Sequence, residues 1–172
     1  MGLADRHYMR QPSGGLYLSA TVLLIVSLVF VFILQRIVLH PLFVNDYLAL
    51  SVDGLKRGFV WELFTFQFLH GGWLHLLMNC LVIYSFGREL EWLLGKQRYL
   101  TLYFMSGVVG GLFQVIAAVI FPNQFGGSVV GASAGGFGIL AGFVLRDPHR
   151  VLSLMLYFVL PLSIRARTLV VI

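Results

Sequence analysis

The sequence predicts an all-α polytopic membrane protein with four complete spans, the start of a fifth, and an amphipathic first loop embedded in the membrane. Composition supports this class: 59% of the 172 residues are hydrophobic and 11% are charged, whereas roughly a quarter of the residues in a soluble domain are charged. Several apolar runs are long enough to span. A chain inside a bilayer must pair its backbone groups internally, which favours helices. Residues 1–172 are expected to form a single membrane domain.

Charge and cysteine content argue against several other classes. The net charge of +5 comes from lysines and arginines scattered through the loops, so no basic run offers a nucleic-acid surface and no nucleic-acid partner is expected. The single cysteine, Cys80, lies in an apolar run and is interpreted as a core residue. The interval from His70 to His75 lacks the glutamate of the zinc-protease pattern HExxH, so no metal site is predicted. No cofactor is predicted.

A polar tail, residues 1–15, precedes the first predicted span, residues 16–38. The span is longer than the roughly 7–15 apolar residues of a signal peptide and lacks a small-residue cleavage site, so we expect an uncleaved helix. Residues 39–72 mix charged and aromatic side chains, which predicts a loop in the membrane interface. A loop resting on the lipid and an ordered structural element are the two alternatives. The aromatic residues expected at headgroup depth are Phe43, Tyr47, Trp61 and Phe64.

The second predicted span, residues 73–94, carries His75 and Asn79 four residues apart, which places them on one helix face. Polar side chains inside a membrane helix usually face the bundle interior or a wet cavity, and they indicate a functional site. Hydrogen bonding between helices is the alternative role. Arg88 and Glu91 follow three residues apart, a spacing that allows an ion pair or two solvated loop charges.

The third predicted span, residues 99–121, contains the pair Gly107 and Gly111. Glycines four residues apart remove side chains from one strip of a helix, so this spacing predicts the close approach of another helix. We therefore assign a packing role to this span.

The fourth predicted span, residues 131–145, contains two further pairs of this kind, Gly131 with Gly135 and Gly138 with Gly142. One side of the helix is nearly bare, which favours a central position among other helices. Ser133 lies in the first turn, where backbone N–H groups have no partner within the helix and a developing negative charge is stabilised.

The remaining sequence offers two interpretations. Pro161 interrupts an apolar run that is short for a span, so we expect residues 151–162 to form a membrane-associated connection, with a fifth span starting near Arg167. The alternative is a short fifth span from Val151 to Ile164.

The distribution of basic residues predicts the orientation. Nine lysines and arginines lie in the N-terminal tail, after the second span and after the fourth, and three lie on the opposite side. The positive-inside rule then places the N-terminus in the cytoplasm. His75 and Ser133 are consequently expected in the outer half of the membrane.

Three strings together resemble the rhomboid intramembrane serine proteases: Trp61-Glu62-Leu63-Phe64-Thr65, then His70-xxxx-His75-xxx-Asn79, and Gly131-Ala132-Ser133-Ala134-Gly135. A GxSxG motif alone is common, but its combination with a histidine–asparagine helix two spans earlier is specific. The resemblance covers nearly the whole chain and implies a rhomboid-like helical bundle. It implies cleavage of single-span membrane proteins near the outer surface, membrane lipids as surroundings, and a location in a bacterial inner membrane.

The resemblance also implies roles for individual residues. Ser133 corresponds to the nucleophile, and His75 and Asn79 to side chains that stabilise the oxyanion together with the backbone N–H of Ser133. His70 corresponds to a structural histidine, and Glu91 to a glutamate that stabilises the far end of the second helix. Gly131 and Gly135 flank the nucleophile as structural residues.

Two departures from the rhomboid pattern affect the expected activity. Glu62 stands where many rhomboids have arginine, which reverses a charge in the first loop. Rhomboids draw their general base from a histidine on a sixth span, beyond Ile172, so the chain is interpreted as a truncated piece with little or no peptidase activity of its own. Two other classes stay open: a catalytically dead rhomboid-like protein that binds transmembrane helices, and a fragment of a transporter or channel.

Overall fold

The computed structural model describes residues 19–146, His149, Thr168, and the backbone of residues 151–156 and 160–165. The predicted N-terminal tail and the first residues of the predicted first span lie outside the described residues. So does the predicted fifth span near Arg167, apart from Thr168.

Four long helices carry the fold. They correspond to the four predicted spans, and the second, at Trp73–Leu94, has the predicted boundaries. Four shorter helices of at most seven residues connect them within the described part of the chain. In chain order the helices are α1 Ala20–Ile37, α2 Pro41–Tyr47, α3 Val52–Lys56, α4 Glu62–Thr65 with a 3-10 turn Phe66–Phe68, α5 Trp73–Leu94, α6 Lys96–Ile120, α7 Pro122–Phe125 and α8 Ser133–Arg146.

The core lies where α1, α5, α6 and α8 meet. In α1 the buried residues Leu24, Leu28 and Phe32 recur every four positions and form one face. The opposite face is also apolar, and Phe30 on it is 60% exposed. An apolar outer surface of this kind is unfavourable in water and suits contact with lipid.

A single glycine separates α5 from α6. Gly95 has φ 77°, in the left-handed region that favours glycine, and its N–H closes α5 on the carbonyl of Glu91 at 2.8 Å. The third span was predicted to begin at residue 99, but α6 begins at Lys96. The difference has a physical reason: lysine, glutamine and arginine are good helix formers, so the polar residues after Gly95 extend the helix.

Glycines allow α6 and α8 to pack closely, as the fourth-span pattern predicted. A Cβ on Gly110 would lie 2.6 Å from the Cβ of Ala134, and one on Gly135 would lie 2.5 Å from the Tyr103 ring. A Cβ on Gly138 would collide with Ser106. Gly131 departs from the prediction, because it precedes α8 and has φ 138°.

The other glycine pair in α6 receives part of the first loop. Gly107 faces the side-chain amide of Gln67, and Gly111 faces Leu50 and Phe66. The helical segment that approaches this strip closely is the 3-10 turn Phe66–Phe68. A bare helical strip fits any closely approaching group, and here buried loop side chains fill it.

The loop over residues 39–72 is an ordered structural element. It contains α2, α3, α4 and the 3-10 turn, and it pairs with the segment before α8 through two backbone hydrogen bonds between Leu50 and Val129, of 3.0 and 2.8 Å. Four aromatic rings follow one another in stacked contact on its surface, with centroids 4.7–5.6 Å apart. They are Phe43, Tyr47, Phe59 and Trp61. Exposed rings such as Tyr47 and Trp61 suit a position at headgroup depth.

The lengths of the helices agree with some of the predicted membrane spans but not with all of them. Among the described residues, α1 and α6 are each long and apolar enough to cross a membrane, and α5 meets the same test only together with Glu62–Phe68, from which it is bent by 96°. At 14 residues, α8 is about 21 Å long, shorter than the roughly 30 Å hydrocarbon core. The number of spans therefore stays a prediction.

The segment after α8 differs from the alternative interpretation, a short helical span from Val151 to Ile164. Val151–Leu156 and Leu160–Arg165 form strands β1 and β2 of an antiparallel hairpin, with Met155 opposite Pro161. The alternative helical span is wrong for this segment, whereas the helices of residues 19–146 agree with the all-α prediction. Pro161 would break a helix interior, whereas each strand of a two-stranded sheet has an open edge that tolerates proline.

Candidate functional site

Ser133 begins α8 and is exposed. The two residues before it, Gly131 and Ala132, are buried, and the N–H of Gly131 donates to the carbonyl of Phe66 at 2.9 Å. The first loop thus holds the segment that leads into Ser133. The positive φ of Gly131 favours glycine, because a Cβ would be strained there.

The backbone at the start of α8 provides donors. The N–H of Gly136 bonds to the carbonyl of Ala132 at 2.9 Å, and the N–H of Ser133 lies in the first turn, where helix geometry supplies no partner. The N-terminal end of a helix carries a partial positive charge. An oxyanion formed beside Ser133 would be stabilised by both effects.

His75 and Ser133 meet at Gly131. A Cβ on Gly131 would lie 2.9 Å from both Cε1 and Nε2 of His75 and 3.8 Å from Oγ of Ser133. His75 lies in the first turn of α5 and is half-buried, so its ring reaches the surface on which the hydroxyl is exposed. Any side chain at Gly131 would therefore displace the imidazole as well as strain the backbone.

Asn79 lies one turn further along α5 and is buried. Its Nδ2 donates to the carbonyl of His75 at 3.0 Å. In this arrangement the amide is bonded to its own helix rather than to Ser133. Asn79 lies one helical turn after His75, as the spacing predicted, and the structure places the His75 ring beside Gly131, next to the Ser133 hydroxyl.

His70 lies behind His75 in the loop before α5 and is fully buried. The two rings pack edge to face with centroids 5.2 Å apart. Burial first, and the neighbouring His75 second, lower the pKa of His70 to about 4, so the ring is neutral at neutral pH. Its Nδ1 is 3.3 Å from the carbonyl of Phe68, while its Nε2 is buried without a hydrogen-bond partner among the described residues.

Glu91 lies at the opposite end of α5 from His75 and joins α5 to the start of α1. Its carboxylate accepts from Ser19 Oγ at 2.5 Å, from Ala20 N–H at 2.7 Å, and from the N–H and Oγ of Thr21, each at 2.9 Å. It therefore caps the helix N-terminus of α1, where a negative charge is favourable. Arg88 donates instead to the hydroxyl of Tyr84 at 3.1 Å.

Glu62 is fully buried in the first loop. Its Oε2 accepts from the N–H of Ser51 at 3.0 Å, and its carboxylate lies directly against Gly54. Its Oε1 has no hydrogen-bond partner in the described part of the chain. The carboxylate of Glu62 thus connects two segments of the loop.

Sequence reasoning missed two polar residues at the end of α1. Gln35 hydrogen-bonds the backbone of His70, and Arg36 hydrogen-bonds the carbonyl of Gly71. The available signal was the presence of two long polar side chains in the last turn of an apolar helix. It did not indicate which loop they contact.

Comparison with known proteins gives one family. The family description "Rhomboid domain" matches residues 57–172. "Putative rhomboid protease YdcA" of Bacillus subtilis is 37% identical over 92 residues, 54% of this chain and 45% of that protein. "Rhomboid protein 1, mitochondrial" of Saccharomyces cerevisiae is 35% identical over 115 residues, 67% of this chain and 33% of that protein.

A relative that is named as inactive also matches. "Inactive RHOMBOID-like protein 8" of Arabidopsis thaliana is 32% identical over 69 residues, 40% of this chain and 20% of that protein. The chain spans less than half the length of each of these three relatives. The similarity therefore covers one protein named as a putative protease and one named as inactive.

Proposed function

The chain belongs to the rhomboid family, and from that premise we propose that it carries the nucleophile and the oxyanion donors of an intramembrane serine endopeptidase. The observation that supports this most strongly is the meeting of Ser133 and His75 at Gly131. An exposed hydroxyl, an imidazole and a helix N-terminus at one point are the components that acyl transfer requires.

In this proposal Ser133 attacks the scissile carbonyl. The N–H of Ser133 and the side chains of His75 and Asn79 then stabilise the tetrahedral oxyanion. Asn79 would exchange its bond to the His75 carbonyl for the oxyanion. Removing one such donor costs about 10²–10³ in rate in known cases.

The remaining proposed site residues support the reactive groups. Gly131 leaves room for the imidazole, and Gly135 allows α8 to pack on α6. His70 packs behind His75, and Glu91 anchors α5 to α1.

The general base is assigned by family resemblance to a histidine outside these 172 residues. Substrates would be single-span membrane proteins cut near the outer surface. We further propose one membrane domain over residues 1–172 with four spans and the start of a fifth, a cytoplasmic N-terminus, and a bacterial inner membrane as location.

The test compares the 172-residue chain with the same chain extended by its genomic continuation, both in liposomes with a single-span substrate. The extended protein should cleave the substrate and react with a fluorophosphonate at Ser133, and Ser133→Ala should abolish both. The 172-residue chain should show neither reaction. Ser133-dependent cleavage by the 172-residue chain would show that the base lies within it.

One observation favours a second candidate, a rhomboid-like protein that binds transmembrane helices without cutting them: a relative is named inactive. If the extended protein neither cleaves nor reacts with the fluorophosphonate, yet co-purifies with a single-span protein, this candidate replaces the protease.

A further inference from the structure

The sharpest bend near the candidate site joins the 3-10 turn to α5. The helical segments on either side, Glu62–Phe68 and Trp73–Leu94, meet at 96°, so the peptide groups of residues 69–72 cannot pair within one continuous helix. A buried N–H or C=O group left unpaired costs about 1–3 kcal/mol. Most of the partners at this bend come from the last turn of α1.

Gln35 pairs with the backbone of His70 through both halves of its amide. Its Nε2 donates to the carbonyl of His70 at 3.0 Å, and its Oε1 accepts from the N–H of His70 at 3.1 Å. The primary amides of Asn and Gln carry a donor and an acceptor side by side, so this contact copies the two-bond pairing of neighbouring strands. Two bonds fix the orientation of the His70 peptide groups more firmly than one.

Arg36 and Phe32 add contacts on either side of this pair. Nη2 of Arg36 donates to the carbonyl of Gly71 at 2.8 Å, and its guanidinium lies 5.1 Å from the centroid of the Phe32 ring. Phe32 packs edge-on against Trp73, the first residue of α5, with centroids 4.7 Å apart. The end of α1 therefore contacts the whole bend.

The bend in turn places His75. The rings of His70 and His75 are in edge-to-face contact, and a Cβ on Gly71 would lie 3.8 Å from Nδ1 of His75. The other edge of the His75 ring lies against Gly131. A continuous series of contacts thus runs from Gln35 through His70 to His75 and Gly131.

We propose that Gln35 is a positioning residue: its two hydrogen bonds to the His70 backbone fix the bend and thereby hold the His75 imidazole against Gly131. The role falls to Gln35 rather than to Arg36. Arg36 is exposed, so water can replace its hydrogen bond, whereas Gln35 is half-buried and bonds the backbone of the fully buried His70. The inference concerns the placement of a ring. It therefore succeeds or fails independently of whether Ser133 is a nucleophile.

The test is an NMR measurement on the 172-residue chain in lipid nanodiscs, isotopically labelled at histidine and glycine. In the unsubstituted chain, the short distance from the His75 ring to Gly131 should give a cross-peak between their protons. Gln35→Met keeps the length of the side chain but removes donor and acceptor, so this cross-peak should be lost and the ring nitrogen resonances of His75 should shift.

The matched control is Gln114→Met, which removes the same type of amide from α6, where Nε2 donates to the carbonyl of Phe125 at 3.3 Å. The cross-peak should persist in this variant. Gln35→Glu is a second test variant, because a carboxylate accepts from the His70 N–H but cannot donate to its carbonyl. It should give a weakened cross-peak, and it serves as the test if Gln35→Met does not fold.

Two results overturn the inference. One is a cross-peak of full intensity in Gln35→Met or, where that variant does not fold, in Gln35→Glu. The other is an equal loss in Gln35→Met and Gln114→Met, which would mean that any lost amide loosens the whole bundle.

Discussion

The two ends of α5 differ in how completely their polar groups are paired. At one end, the Glu91 carboxylate accepts four hydrogen bonds from the start of α1. At the other end, Ser133 is exposed and the buried Nε2 of His70 has no hydrogen-bond partner among the described residues. The amide of Asn79 is bonded to its own helix.

The difference separates a structural joint from a candidate reactive site. The buried carboxylate of Glu91 accepts charge-assisted hydrogen bonds from α1, which hold the two helices together. An exposed hydroxyl beside an imidazole keeps its bonding capacity for another molecule. Proteins commonly carry such incompletely satisfied groups at functional sites, where stability is sacrificed for activity.

The largest expected effect is at the paired end. Glu91→Ala leaves the N–H groups of Ala20 and Thr21 without their acceptor, so we expect a loss of about 1–3 kcal/mol in the free energy of unfolding for each of these two groups. Reversible unfolding in mixed detergent micelles measures it. Glu91→Gln, whose amide has one acceptor oxygen, should lose less than Glu91→Ala. Equal losses in the two variants would mean that packing, not hydrogen bonding, holds this joint.

The second effect is at the His75 end and depends on pH. His70 lies in the loop before α5, and its pKa is lowered from 6.5 to about 4 by burial first and by His75 second. Between these values the unfolded chain binds more protons than the folded one, so stability is fully present above pH 6.5 and is lost as the pH falls towards 4. The decrease in the free energy of unfolding should be smaller than that caused by Glu91→Ala, because protonation affects one side chain, whereas Glu91→Ala removes four hydrogen bonds.

Unfolding measured at pH 7 and pH 5 gives the size of this effect. His70→Gln removes the titrating group and should reduce the difference in stability between the two pH values. A difference that is unchanged in His70→Gln would assign the pH dependence to another group.

The four long helices could be predicted from the sequence, because long apolar runs bounded by glycine and charged residues determine them locally. Trp73–Leu94 has the boundaries that were expected. The hairpin could not be predicted, because short apolar runs around Pro161 fit a strand or a membrane connection equally well. The two strands pair residues that are ten or more positions apart in the sequence at the end away from the turn, for example Val151 with Arg165.

The candidate site could be predicted in part. Ser133 and His75 were identified from the sequence, but the positive φ of Gly131 and the position of the His75 ring against it depend on the tertiary structure. The pairing of Gln35 with His70 spans 35 residues, and no local pattern indicates it.

The smallest effect tests two adjacent glycines in the helix that carries Ser133. A Cβ on Gly135 would lie 2.5 Å from the Tyr103 ring, whereas one on Gly136 would lie 3.8 Å from Val82, an ordinary contact distance. Gly135→Ala should therefore destabilise the chain by about 1–3 kcal/mol through overpacking. Gly136→Ala should be neutral or stabilising by up to about 1 kcal/mol, because alanine favours the helix. Unfolding in micelles distinguishes them, and equal effects in the two variants would mean that α8 does not pack on Tyr103 as closely as the structure places it.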